Sequence, residues 1–141
     1  MSPIVTRNLH ILAAIWTAAG VFASAVLFAA LKRTTDPAGR AFGVRLAWRL
    51  MVVYTLPGAV ISGLLGLYQL MAAGYGFRFG WVHASVTLWV VLLVILLFVQ
   101  LPKLRNAART GGDVPPVIAI LTHVSALLIV VMAVLMGLKP F

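Results

Sequence analysis

Four stretches of this chain, residues 8–31, 50–77, 79–102 and 114–138, contain no Asp, Glu, Lys or Arg. Each is longer than the roughly 20 apolar residues that an α-helix needs to cross a hydrocarbon core of about 30 Å. A segment inside lipid must satisfy its own backbone hydrogen bonds, which a helix does. The pattern predicts an all-α, polytopic membrane protein. It is a single domain over residues 1–141, a four-transmembrane-helix bundle with helices at about 8–31, 46–77, 79–102 and 114–138.

The basic residues lie at the ends of these apolar stretches and do not form a separate basic region. Of the 141 residues, 63% are hydrophobic and 9% are charged, and the formal net charge is +9. An average soluble domain has roughly 25% charged residues. This composition therefore excludes a water-soluble enzyme, a disordered chain and a soluble nucleic-acid binder. The chain has no cysteine, which excludes disulfides, iron–sulfur clusters and thiolate chemistry.

Positive charge is distributed unequally between the two sides of the predicted bundle. Three of the eleven basic residues, Arg7, Arg78 and Lys139, lie on the side of the termini. The other eight follow helices 1 and 3: Lys32, Arg33, Arg40, Arg45, Arg49, Lys103, Arg105 and Arg109. Because short cytoplasmic loops are enriched in Lys and Arg, we expect loops 32–49 and 103–113 in the cytoplasm and both termini outside. We therefore expect a multi-pass protein of the bacterial inner membrane.

The predicted membrane helices contain no carboxylate. Asp36 and Asp113 are the only acidic residues, and both fall in the cytoplasmic loops. Proton pumps and ion-coupled transporters rely on ionisable residues within the bilayer, commonly Asp or Glu, so we expect neither. General acid–base catalysis by paired carboxylates is excluded for the same reason.

Two histidines lie at a similar depth near the outer ends of two parallel helices. His10 and His83 are each preceded by an arginine and followed six residues later by a tryptophan. Two imidazoles that face a bundle interior at one depth can hold haem iron from both sides. Pocket walls and partners for the haem carboxylates are expected from Trp16, Trp89, Arg7 and Arg78, with Lys139 on the same side. The pattern predicts haem b with His10 and His83 as iron ligands. The alternative is that each histidine bonds a neighbouring hydroxyl or carbonyl.

His123 and two methionines leave further alternatives open. His123 lies about nine residues into the predicted fourth helix, about 13 Å from its inner end at ~1.5 Å per residue. We expect it to hydrogen-bond in the core beside Thr122 and Ser125, with a second ligand site as the alternative. Met71 and Met136 end helices 2 and 4 on the outer side. Because thioether and imidazole ligands suit copper(I), a copper site there is the alternative to gap-filling by methionine.

Short motifs in the first three helices carry a family resemblance: Leu9-His10-Ile11 with Ile15-Trp16, then Pro57 with Ser62-Gly63-Leu64, then Trp81-Val82-His83. They resemble the HemJ-type protoporphyrinogen oxidases and the related CopD-type copper-resistance membrane domains. The resemblance implies a four-helix bundle, often with b-type haem, and a role in tetrapyrrole oxidation or copper handling. It also implies a functional role for His10. HemJ-type proteins carry a basic residue in the third helix region, which this chain lacks between residues 79 and 102. The oxidase activity is therefore left open.

Together these patterns predict a small b-type haem-binding membrane protein with a redox or electron-transfer role. Quinone or a redox protein would be its partner, and no nucleic acid is expected. One alternative is a non-catalytic subunit or assembly factor of a larger membrane complex, in which the histidines are structural. Another is a copper-binding or copper-uptake protein. A homo-oligomer is compatible with each of these functions.

Overall fold

A computed structural model describes residues 2–74 and 77–138 of the chain. The helices in this part are α1 (Pro3–Leu31), α2 (Pro37–Leu50), α3 (Leu56–Ala72), α4 (Gly80–Val94), α5 (Leu101–Thr110) and α6 (Pro116–Leu138). A π-helical turn, Met51–Thr55, joins α2 to α3, and a second, Ile95–Gln100, joins α4 to α5. The segments therefore form four long helices, each long and apolar enough to cross a membrane. The predicted all-α bundle of a multi-pass membrane protein is confirmed, and the side that the termini face stays a prediction.

The four long helices form a bundle in which α1 and α4 occupy opposite corners. α1 packs along α3 and against α6, and α4 packs against the same two helices. The core lies in the half of the bundle away from the termini, where Phe28, Met51 and Leu96 are buried among other apolar side chains. We call this end of the bundle the inner end and the end with the termini the outer end, following the predicted orientation. Outward-facing apolar side chains stay uncovered, as with Val26 at 72% and Phe98 at 74% exposure. Apolar surface on this scale is compatible with a lipid environment and incompatible with water.

Small residues allow α1 and α3 to approach closely. A Cβ atom placed on Gly58 would lie 2.7 Å from the backbone nitrogen of Thr17 and 3.0 Å from the carbonyl oxygen of Ala13. A Cβ atom on Gly20 would likewise overlap Thr55. Close backbone approach at small residues is how membrane helices gain packing energy. These glycines therefore fix the separation of the two helices.

Each π-helical turn comes directly before a proline in the helix interior. Pro57 follows the first turn and Pro102 the second, each after one intervening leucine. A proline inside a helix has no N–H to donate, and its ring clashes with the carbonyl four residues earlier. The wider π-helical turn accommodates the ring, so both helices continue past their prolines.

The second and third long helices extend beyond the predicted boundaries at the inner end. α2 begins at Pro37, where Asp36 accepts hydrogen bonds from the backbone nitrogens of Ala38 and Gly39 at 3.4 and 2.7 Å. Such a side chain satisfies nitrogens that a helix start leaves unpaired. α5 continues to Thr110 and ends at Gly111, whose φ of 67° favours glycine. The two extensions pack against each other. The buried residues of α2 are Gly43, Val44 and Ala47, and those of α5 are Leu104 and Ala107; Gly43 lies against Leu31 of α1.

Candidate functional site

His10 lies in the seam between α1 and α3. Its Nδ1 atom is 2.7 Å from the carbonyl oxygen of Ser62. Because a carbonyl oxygen only accepts, Nδ1 carries the proton and donates it. The imidazole packs over Gly66, where an added Cβ atom would lie 3.1 Å from the ring carbon Cε1. His10 therefore ties the backbones of two helices together, and the missing side chain of Gly66 makes room for its ring.

His83 lies on the outward face of α4. The buried residues of α4 are Trp81, Val82, Ser85 and Leu92, and at 100° per residue His83 lies on the opposite side of the helix. The side chain is exposed, and Nε2 donates to the carbonyl oxygen of Phe77 at 2.7 Å. The Phe77 and His83 rings also contact each other, with centroids 5.6 Å apart. The expectation that His83 faces the bundle interior is wrong.

Thr87, four residues further along α4, is exposed on the same face. His10 and His83 do not line a common cavity between the helices. One ring fills the α1–α3 seam, and the other turns away from the bundle at the opposite corner. A polar side chain near a helix end can donate its hydrogen bond to a nearby carbonyl oxygen without entering the core.

The two tryptophans expected to wall the haem pocket lie in different places. Trp16 is 40% exposed and meets Tyr54 edge to face, with ring centroids 6.3 Å apart. Trp89 packs over Gly63, and its Nε1 donates to the carbonyl oxygen of Ala59 at 2.8 Å. Trp89 therefore fastens α4 to α3, and Trp16 faces outward.

The remaining outer residues do not assemble a site in the described part of the chain. Arg7 and Arg78 are exposed, Met71 is 79% exposed and Met136 is 37% exposed. Lys139 and the predicted helical residues 75–76 lie outside the described residues. Among residues 2–74 and 77–138, no group of three or more His, Cys, Asp or Glu side chains could hold a metal ion.

A groove lies at the inner end of the bundle, between α1, α2 and α6. Its volume is about 640 Å³, within the range of roughly 300–1,000 Å³ typical of small-molecule sites. We call it the inner groove, defined by Phe28, Leu31, Lys32, Arg40, Val44, Asp113, Val114, Pro116, Ala119, Ile120, His123, Val124 and Leu127. Most of these side chains are apolar, and the polar ones are few.

His123 belongs to the inner groove and not to the core. Its neighbours Thr122 and Ser125 are buried, at 2% and 0% exposure, whereas His123 is exposed to the groove. The expected hydrogen bond within the core is therefore wrong. Nδ1 of His123 instead donates to the carbonyl oxygen of Ala119, 2.6 Å away on the same helix. This bond leaves Nε2 as the nitrogen with an available lone pair.

Charged residues stand at the open inner end of the groove. Arg40 forms an ion pair with Asp113 at 2.6 Å, with 44% and 73% of the two side chains exposed. Lys32 is exposed beside them. With two cations and one carboxylate, this end of the groove has a net positive charge. The groove therefore combines an apolar wall, an imidazole and a cationic mouth, which is the chemistry that an anionic amphiphile requires.

The sequence held one indication of this site, since His123 was already set apart from the other histidines by depth. The groove itself joins the end of α1, the start of α2 and the start of α6, which are distant in sequence. No motif marks such a combination. Comparison with known protein families, with curated proteins and with solved structures finds no match to this chain. The resemblance to HemJ-type and CopD-type proteins therefore stays a prediction.

Proposed function

We propose that this protein is a bacterial inner-membrane protein that binds one b-type haem in the inner groove and takes part in electron transfer. One observation carries the proposal: an imidazole, apolar walls and two cations line the same groove of about 640 Å³. The site differs from the predicted one, because His123 replaces the His10 and His83 pair as the source of the iron ligand.

The residues of the groove fit the chemistry of haem. Nδ1 of His123 donates to the carbonyl oxygen of Ala119, and metal-ligating histidines typically use their other ring N–H in this way. His123 is seven residues from Pro116 at the start of α6, a rise of about 10 Å. The iron ligand therefore lies inside the apolar part of the groove, well separated from its charged mouth.

Lys32 and Arg40 would hold the two propionate carboxylates at the mouth of the groove. A guanidinium group pairs strongly with carboxylates, and Arg40 is already positioned by Asp113. Apolar side chains such as Phe28 and Ile120 would exclude water from the macrocycle. When bound, haem supplies one-electron redox chemistry, and its potential is set by the axial ligand and by burial.

The charge distribution supports a cytoplasmic position for this groove. Loops 32–49 and 103–113 carry eight of the eleven basic residues, so the mouth would open toward the cytoplasm. A cytoplasmic redox protein, or quinone from the inner leaflet, would be the electron partner. Outside the groove, α1 and α6 also carry exposed apolar side chains, such as Val26 and Val130 with 72% and 48% exposure.

The test is an absorption spectrum of the protein purified in detergent after expression with ample haem. We expect a Soret band at one haem per chain, lost in His123→Ala and restored by added imidazole. His83→Ala is the matched control, because His83 is also an exposed histidine bonded to a carbonyl oxygen; it should keep the band. A wild-type protein without a Soret band, or a band that survives His123→Ala and disappears in His10→Ala, contradicts the proposal.

A second candidate function is a non-catalytic subunit or assembly factor of a larger membrane complex. One observation favours it: His10 and His83 hydrogen-bond to the backbone carbonyl oxygens of Ser62 and Phe77, and neither lines the inner groove. Both bonds hold backbone segments in place, which is a structural role. Purification of the tagged protein from its native membrane distinguishes the two functions. A stoichiometric protein partner without a chromophore supports the subunit, and a chromophore without such a partner supports the haem protein.

A further inference from the structure

A second, much smaller cavity lies deep in the bundle, where all four long helices meet. Its volume is about 10 Å³. Four of its lining residues carry polar side chains: Ser24 from α1, Thr55 and Gln100 from the two π-helical turns, and Thr122 from α6. All four are buried, with exposures of 6%, 1%, 2% and 2%. Ser24, Gln100 and Thr122 each donate one hydrogen bond within the protein, and buried polar atoms with remaining capacity commonly bond to ordered water.

The hydroxyl groups at this point present lone pairs to the cavity. Ser24 donates its proton to the carbonyl oxygen of Gly20 at 2.8 Å, and Thr122 donates to that of Ile118 at 2.8 Å. Because each proton is committed to its own helix, the oxygen can only accept a further hydrogen bond. Gln100 donates through Nε2 to the Ser125 hydroxyl at 3.1 Å, and its amide oxygen adds another acceptor. Acceptors therefore outnumber free donors around the cavity.

A water molecule is small enough for this cavity, and its two donors match the excess of acceptors around it. A cavity needs roughly 10–15 Å³ of probe-filled volume and two to four polar partners to hold one water. The cavity meets both conditions. We propose that a single water molecule is bound between Ser24, Thr55, Gln100 and Thr122, and that it joins the four helices through hydrogen bonds at the level of the two π-helical turns.

The proposed water site is independent of haem, but it is adjacent to the inner groove. Phe28 lines both spaces and is 4% exposed. Phe28 therefore contacts both spaces.

Hydroxyl-radical footprinting with mass spectrometry tests the site in the unaltered protein, because radicals generated from a bound water modify its neighbours. Met51 lines the cavity at 4% exposure. Met132 is the matched control, being partly buried against the apolar core and not lining the cavity. We expect Met51 to be oxidised several times faster than Met132 despite its lower exposure. Equal or slower oxidation of Met51 overturns the proposal.

A variant pair separates a bound water from general access of solvent. Thr122→Val removes one of the acceptors and should reduce the oxidation of Met51 several-fold. Ser85→Ala removes a buried hydroxyl that lies outside the cavity, and it should leave the oxidation of Met51 unchanged. Oxidation that is the same in Thr122→Val as in the wild type assigns the labelling to bulk solvent and contradicts the bound water.

Discussion

Gly58→Ala should destabilise the bundle by forcing α1 and α3 apart. The new Cβ atom would lie 2.6 Å from Oγ1 of Thr17, 2.7 Å from its backbone nitrogen and 3.0 Å from the carbonyl oxygen of Ala13. Two of these three atoms belong to the backbone of α1, so no rotation of a side chain can relieve the overlap. Either the helices separate or the backbone distorts.

The magnitude follows from two opposing effects. Overpacking by one methyl group in a well-packed interior costs typically about 1–3 kcal/mol, and rigid backbone neighbours place Gly58→Ala in the upper part of this range. Alanine is preferred to glycine within a helix by about 1 kcal/mol, which opposes the overlap. We therefore expect a net loss of roughly 1–2 kcal/mol in the free energy of unfolding.

The assay is reversible unfolding in mixed detergent micelles, followed by circular dichroism or tryptophan fluorescence. Gly137→Ala is the control, because Gly137 is also helical and a Cβ atom there meets no atom within 4 Å. It should leave stability unchanged or raise it slightly. If Gly58→Ala is as stable as Gly137→Ala, the α1–α3 seam is looser than described and the packing argument fails.

Two further predictions use the same unfolding assay. Trp89→Phe removes the indole hydrogen bond to the Ala59 carbonyl oxygen and should lower the free energy of unfolding by about 0.5–1.5 kcal/mol. Trp16→Phe, on the outward face, should have a smaller effect. Equal losses in the two variants would contradict the role of Trp89 in holding α4 against α3. Arg40→Gln breaks the exposed ion pair with Asp113 and should lower the free energy of unfolding by less than about 1 kcal/mol. A larger loss that persists at high salt would show that the pair is more buried than described.

The apolar stretches of the sequence predicted the four helices because lipid imposes a length and excludes charge. The same criterion placed two boundaries too close to the membrane. It starts the second helix at residue 46 and ends the third at residue 102, yet α2 begins at Pro37 and α5 continues to Thr110. They do so because the two segments pack against each other, with Ala47 buried on α2 and Leu104 buried on α5. This packing can be predicted only when the two segments are known to be neighbours in the fold.

The functional residues were harder to place because polar character does not specify direction. His83 was assigned to the interior from its depth, but the buried face of α4 is set by Trp81, Val82 and Ser85. The depth of His123 and its polar neighbours Thr122 and Ser125 predict a core position, but His123 lies one residue further round the helix than Thr122 and faces the inner groove. Depth along a helix follows from sequence, whereas rotation about its axis depends on packing partners.

The spin state of the bound iron tests the central proposal most directly, because it reports how many imidazoles hold the haem. Electron paramagnetic resonance of the oxidised wild-type protein should give a high-spin ferric signal, as expected when His123 is the only imidazole ligand. A low-spin signal typical of two imidazoles, persisting in His123→Ala, would contradict a haem site in the inner groove.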